Sequence, residues 1–66
     1  MIPKRIHIPS DDTELELVES VLDKRTKVTT HVYVYTKAEV FLGSKIEFTD
    51  ERLEKLISNG TGKIIN

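Results

Sequence analysis

Residues 27–48 read KVTTHVYVYTKAEVFLGSKIEF, and the alternation along this stretch decides the fold class. Its even positions are Val28, Thr30, Val32, Val34, Thr36, Ala38, Val40, Leu42, Ser44, Ile46 and Phe48. Its odd positions are Lys27, Thr29, His31, Tyr33, Tyr35, Lys37, Glu39, Phe41, Gly43, Lys45 and Glu47. Successive strand side chains point to opposite faces, so the even set is expected to build a core and the odd set a second face of aromatics among charges. A turn near Thr36-Lys37-Ala38 pairs Val34 with Val40, Val32 with Leu42 and Tyr33 with Phe41, which keeps both faces consistent. That turn lacks Gly, Asn and Pro, so a bulge or one long bent strand is the alternative. Gly43-Ser44 makes a better second turn. A strict two-residue turn there would swap the faces of Ile46 and Phe48, so a longer turn or a bulge is expected.

Outward from this stretch, residues 4–8 read as a short first strand with Ile6 and Ile8 inward, Pro3 at its start and Pro9 closing it. Ser10 or Asp11 is placed to cap a helix running to about Lys24, with Asp11 and Glu14 at capping-box spacing. At 100° per residue, Leu15, Leu17, Val18, Val21 and Leu22 fall on one side, and Asp12, Glu16, Glu19, Ser20 and Asp23 on the other. The acidic residues come first and Lys24, Arg25 and Lys27 follow, the polarity a helix macrodipole favours. Thr49 reads as the cap of a later helix, with Asp50 and Glu51 in its first turn and Phe48 and Leu53 spaced as a hydrophobic staple. Asn59-Gly60 ends that helix in the left-handed manner, and Ile64-Ile65 suffices for a short edge strand. The expectation is one α+β domain over residues 1–66, a small single-layer, mainly antiparallel sheet with two helices. Its order is β-α-β-β-β-α with an optional short C-terminal strand.

The totals narrow the function classes. The 66-residue sequence has no cysteine, which removes disulfides, thiolate metal sites and a cysteine nucleophile together. A chain of this size buries only about 60% of its unfolded surface, so self-association is the remaining common support. Ten basic against eleven acidic residues leave a formal charge of −1, without the basic excess of a duplex-DNA binder. No apolar run approaches a membrane span and the N-terminus has no apolar leader stretch, so a cytoplasmic location is the default and no membrane is expected as a partner.

Each candidate chemistry has a plainer reading beside it. His7 and His31 lie far apart without ligand spacing, so no metal and no cofactor is expected. Asp11, Asp12, Glu14 and Glu16 lack the alternation of an EF-hand loop and read as a cap and a solvated face. Gly60-Thr61-Gly62-Lys63 resembles the tail of a phosphate-binding loop, but a helix precedes it and Ile64 follows the lysine. Among Ser10, Ser20, Ser44 and Ser58 none sits on a nucleophile elbow and no base is oriented toward one, so an enzyme is not expected. The acidic stripe Asp12, Glu16, Glu19 and Asp23 could meet a basic protein surface, although most such faces are only solvated.

The odd sheet face carries the functional expectation. His31, Tyr33, Tyr35 and Phe41, rimmed by Lys27, Lys37 and Lys45, are expected to bind another protein or a second copy of the chain, as a regulator, inhibitor or accessory subunit would. The alternative is single-stranded nucleic acid stacked on the same rings, against which Glu39 and Glu47 would repel phosphate. Both require the aromatic face to be uncovered; if a helix lies over it, the rings are simply core.

Overall fold

The computed structural model describes residues 2–65, and it contains one helix, not two. The element order is β1 (Arg5–Ile8), β2 (Thr13–Asp23), β3 (Val28–Lys37), β4 (Lys45–Thr49), α1 (Asp50–Ser58) and β5 (Lys63–Ile64). The strands form one antiparallel sheet in the spatial order β4-β3-β2-β1-β5. The expected β-α-β-β-β-α layout is therefore wrong: the fold is mostly sheet, and the segment expected as the first helix is its longest strand.

Period-two alternation makes that segment a strand. Thr13, Leu15 and Leu17 are buried or half-buried on one face, while Glu14 and Glu16 point to the other. The register against β3 then slips between Leu17 and Glu19, leaving Val18 as an extra bulged residue. Beyond the bulge the faces exchange, because Ser20 now pairs with His31 and Glu19 with Val32. That single slip turns an alternating pattern into the apparent helical stripe of Leu15, Leu17, Val18, Val21 and Leu22. Asp11 does supply a side-chain cap, but to a turn: its Oδ1 accepts the Thr13 N–H at 3.3 Å, and Asp12 sits at φ 57°.

The two faces of β3 are the reverse of the expected ones. Tyr33 is fully buried and His31 nearly so, whereas Val32 and Val34 lie on the half-open side. The seven residues after β3 form a loop, not a strand, and the expected Val34–Val40, Val32–Leu42 and Tyr33–Phe41 pairs do not form. Instead Gly43, at φ 84°, and Ser44 exchange backbone bonds with Tyr35, and β4 pairs Tyr33 with Ile46 and His31 with Phe48. Odd residues of β3 thus share a face with even residues of β4. The unbroken alternation across residues 27–48 is two strands in opposite phase joined by a loop that hides the change.

Helix α1 covers this shared face. Thr49 caps it, accepting the Arg52 N–H on Oγ1 at 3.3 Å, and Asp50 and Glu51 lie in its first turn. Leu53 joins Ile6, Leu15, Tyr33 and Phe48 in the core, with Leu56 and Ile57 packed around them. Tyr33 and Phe48 meet edge to face at 5.7 Å, and Tyr33 Oη donates to the Pro3 carbonyl at 2.6 Å. Gly60, at φ 81°, follows the Asn59 cap, and β5 then pairs beside β1. The opposite sheet face carries no helix. Its valines serve strand propensity and cross-strand contact, as one solvated face of an antiparallel sheet allows.

Candidate functional site

The seven residues expected to form one binding face do not come together. His31 and Tyr33 are buried beneath α1 of their own chain, and Tyr35 is half-buried against the core. Phe41 is exposed in the loop after β3, its ring 5.8 Å from that of Tyr35. Lys27 ends the β2–β3 turn at the far end of the molecule, with φ 59°. Lys37 is held by Asp12 at 2.8 Å, with Glu14 at 4.0 Å. Lys45 pairs opposite Val34, on the face away from the aromatics. Of the aromatic surface expected from alternation, His31 and Tyr33 belong to the core, while Tyr35 and Phe41 meet ring to ring at its edge. The Lys37 contacts also act electrostatically: its ammonium holds the Asp12 carboxyl below the usual value, and Asp12 in turn holds Lys37 above its own.

What the fold does bring together lies at the other end of β2 and β3. The pair forms a long hairpin in a molecule 36 Å long and 18 Å thick. Only its base is flanked. β1 pairs with Thr13 through Glu16 and the Leu17 N–H reaches the Lys4 carbonyl at 2.8 Å; β4 pairs with Thr30 through Val34. Pro3 leaves the sheet edge, its carbonyl taken by Tyr33 on the helix side. Residues 18–23 of β2, paired with β3 on one side, therefore have no strand on their other side among the described residues, and they project as one side of an arm.

The turn at the arm's tip is built to hold. Asp23 Oδ1 accepts from the Arg25 N–H at 2.8 Å and the Thr26 N–H at 3.4 Å, and the Lys27 N–H bonds the Asp23 carbonyl at 2.6 Å. Four aliphatic side chains crowd the arm: Val18, Val21, Leu22 and Val28, from 43% to 57% exposed. Glu19 and Asp23 flank Val21 on the face opposite the helix, as their pairing with Val32, Thr30 and Val28 shows. These acids are not a helix stripe; they stand on the face of a strand.

At the root of the arm a polar chain marks where helix cover ends. Ser20 Oγ lies 2.7 Å from His31 Nδ1, and Asp50 Oδ1 lies 2.5 Å from His31 Nε2. An ionised carboxylate only accepts, so Nε2 carries the proton and, in the neutral ring, Nδ1 accepts from the Ser20 hydroxyl. No local pattern marks a base near a serine; the bulge and the helix start together place His31 beside Ser20. The Ser20–His31–Asp50 order is that of a hydrolase relay with the two ring nitrogens exchanged. Asp50 also lines a groove of about 410 Å³ together with Ile2, Pro3, Leu53, Glu54 and Ile57, which neither Ser20 nor His31 borders. These contacts link the arm, through the nearly buried His31, to the start of α1.

Two further observations complete the site's setting. Among the described residues no group of three or more His, Asp or Glu side chains is gathered as metal ligands would be. Among the described residues no helix is long and apolar enough to cross a membrane. No family model, curated protein or solved structure matches the chain.

Proposed function

We propose that this chain is a non-catalytic binding protein that takes hold of another polypeptide with the projecting end of its β2–β3 hairpin. The observation carrying the reading is the coincidence of an unpaired strand edge with exposed Val18, Val21, Leu22 and Val28. Such an edge invites another strand, and natural sheets blunt it with proline, charged side chains, a bulge or a covering segment. Residues 18–23 carry no proline, and their guards are the acids Glu19 and Asp23 beside the bulge at Val18, which a basic strand would satisfy. Exposed aliphatics around an open edge are the materials of a protein interface. The cytoplasm is the setting this reading takes, since a cysteine-free chain draws nothing from an oxidising compartment.

The test is site-directed photocrosslinking in the native cell, with a benzophenone side chain replacing Leu22 in one variant and Lys55, exposed on α1, in the other. A discrete adduct with one polypeptide from position 22, missing from position 55, is the expected result. Identical crosslinking from both positions, or none from position 22, overturns the reading.

A further inference from the structure

We infer that the partner adds a β-strand to the open edge of β2, and that this strand carries basic residues at two alternate positions around an apolar one. The inference rests on the binding role proposed above and specifies its chemistry.

The direction of the backbone groups comes first. Tyr35 uses both its N–H and its C=O on the β4 side, toward Ser44 and Gly43. Backbone groups alternate along a strand, so the even residues of β3 face β2. Val28, Thr30 and Val32 then meet Asp23, Val21 and Glu19, which leaves Ser20 and Leu22 with their N–H and C=O turned to the open side. A strand laid there bonds to those two residues without disturbing the existing ladder.

The side chains select among such strands. On the face away from the helix the edge presents Glu19, Val21 and Asp23 in sequence; on the helix face it presents Ser20 and Leu22. Directly opposed side chains on adjacent strands lie about 4.5–5.5 Å apart, within reach of an ion pair. The complement on the first face is basic, apolar, basic at positions i, i+2 and i+4. Glu19 has no ion-pair partner among the described residues, and Asp23 spends only Oδ1 on the turn.

A second copy of the chain fits worse. Antiparallel two-fold pairing through the regular stretch 19–23, centred on Val21, sets Glu19 against Asp23 twice. Centring it on Ser20 draws the bulged Val18 into the ladder, where regular pairing is broken. The edge strand β4 places Glu47 between Lys45 and Thr49 on the face away from the helix, a carboxylate where the complement calls for an apolar residue.

The experiment titrates capped peptides into the isotope-labelled chain and follows backbone amide shifts. One peptide reads Thr-Lys-Val-Val-Thr-Lys-Thr; the second has both lysines replaced by glutamate. The largest shifts are expected at residues 18–23, with the lysine peptide binding roughly tenfold tighter than the glutamate peptide, since two opposed pairs change sign. Glu19→Lys, at an exposed position, reverses the sign of one of the two pairs and should cut the parent's preference roughly tenfold, to none, while the rest of the spectrum stays native. Equal affinity for the two peptides, shifts centred on β4 or β5, or concentration-dependent shifts of Ser20 and Leu22 without peptide each overturn the inference. If position 22 crosslinks a partner while the peptides bind equally, the strand chemistry fails and the binding role stands. If position 22 crosslinks nothing, the role itself falls.

Discussion

Replacing Tyr33 and Val32 in parallel measures which face of β3 is the core. Tyr33 is fully buried, its ring lies 5.7 Å from that of Phe48, and its hydroxyl donates to the Pro3 carbonyl at 2.6 Å. Tyr33→Phe keeps the ring but leaves the acceptor at Pro3 without its donor, at a cost of about 1–2 kcal/mol. Tyr33→Ala also empties a ring-sized volume under α1, and large-to-small changes of that kind cost about 3–5 kcal/mol. A 66-residue chain has a total stability of only about 3–10 kcal/mol, so Tyr33→Ala should lose at least about a third of it and lower the melting temperature by well over about 10 °C. Val32→Thr changes a half-exposed side chain on the solvated face and should cost under about 1 kcal/mol.

Urea unfolding followed by far-ultraviolet circular dichroism gives each value from its midpoint and slope, and thermal melts supply a second readout. At this size, each kcal/mol moves the melting temperature by about 4–8 °C. The alternation of residues 27–48 read alone demands the opposite ranking, with Val32 costly and Tyr33 cheap. If Tyr33→Phe and Tyr33→Ala melt within a degree or two of the parent while Val32→Thr unfolds it, the helix does not cover the aromatic face, and the hairpin arm argued from that packing goes with it.

Asp50→Ala leaves the nearly buried His31 without the acceptor at Nε2 and should cost about 1–2 kcal/mol, whereas Ser20→Ala, at an exposed hydroxyl, should cost less than about 1; paired urea titrations rank them. Thr49→Ala removes the acceptor of the Arg52 N–H and should cost about 1 kcal/mol by the same assay. Gly62→Ala would set its new Cβ 3.0 Å from Ile6 Cγ2 and Leu56 Cγ, and overpacking of this kind costs about 1–3 kcal/mol, read as a lower melting temperature. Burial raises the Tyr33 phenol above its ordinary 10.0, so the native state favours the neutral form; that stabilisation is whole below pH 10.0 and is lost as pH rises through the higher folded value. Melting temperatures taken from pH 9 upward should show an alkaline decline that is shallower in Tyr33→Phe.

Where one residue's chemistry decides a structure, the sequence showed it. Thr49, Asp50 and Glu51 announce the start of α1, Asn59-Gly60 its end, and Ile6 and Ile8 the first strand, because caps and short strands are written in adjacent residues. Two features that depend on pairing were misread. The bulge at Val18 shifts an alternating strand by one residue, and Leu15, Leu17, Val18, Val21 and Leu22 then imitate a helical face. The loop after β3 reverses the phase between strands, so Tyr33 joins Ile46 although one is odd and the other even. Neither event leaves a local mark, since both are defined by the partner strand. The candidate site was illegible for the same reason. Ser20, His31 and Asp50 come from three elements, and the openness of residues 18–23 is a fact about where β1 stops.

The bulge also explains how an open edge can persist in so small a protein without proline or lysine to guard it. Up to Leu17 the odd residues of β2 turn their backbone groups toward β1; after the slip the odd residues turn toward β3, and Ser20 and Leu22 face out. The same slip sends Glu19 and Asp23 to the solvated face, two positions either side of Val21. Placed there, each Glu19 would oppose the other copy's Asp23 in the two-fold register centred on Val21, at a spacing where like charges destabilise a strand pair. The edge is thus barred to itself by the feature that recommends it to a basic strand. A neutral pair at those positions would lose both properties at once: Glu19→Gln with Asp23→Asn, the latter keeping a side-chain oxygen for the turn, should bind the lysine and glutamate peptides alike and begin to self-associate on concentration. Light scattering that shows the double variant as monomeric as its parent would mean that something other than these charges keeps the edge single.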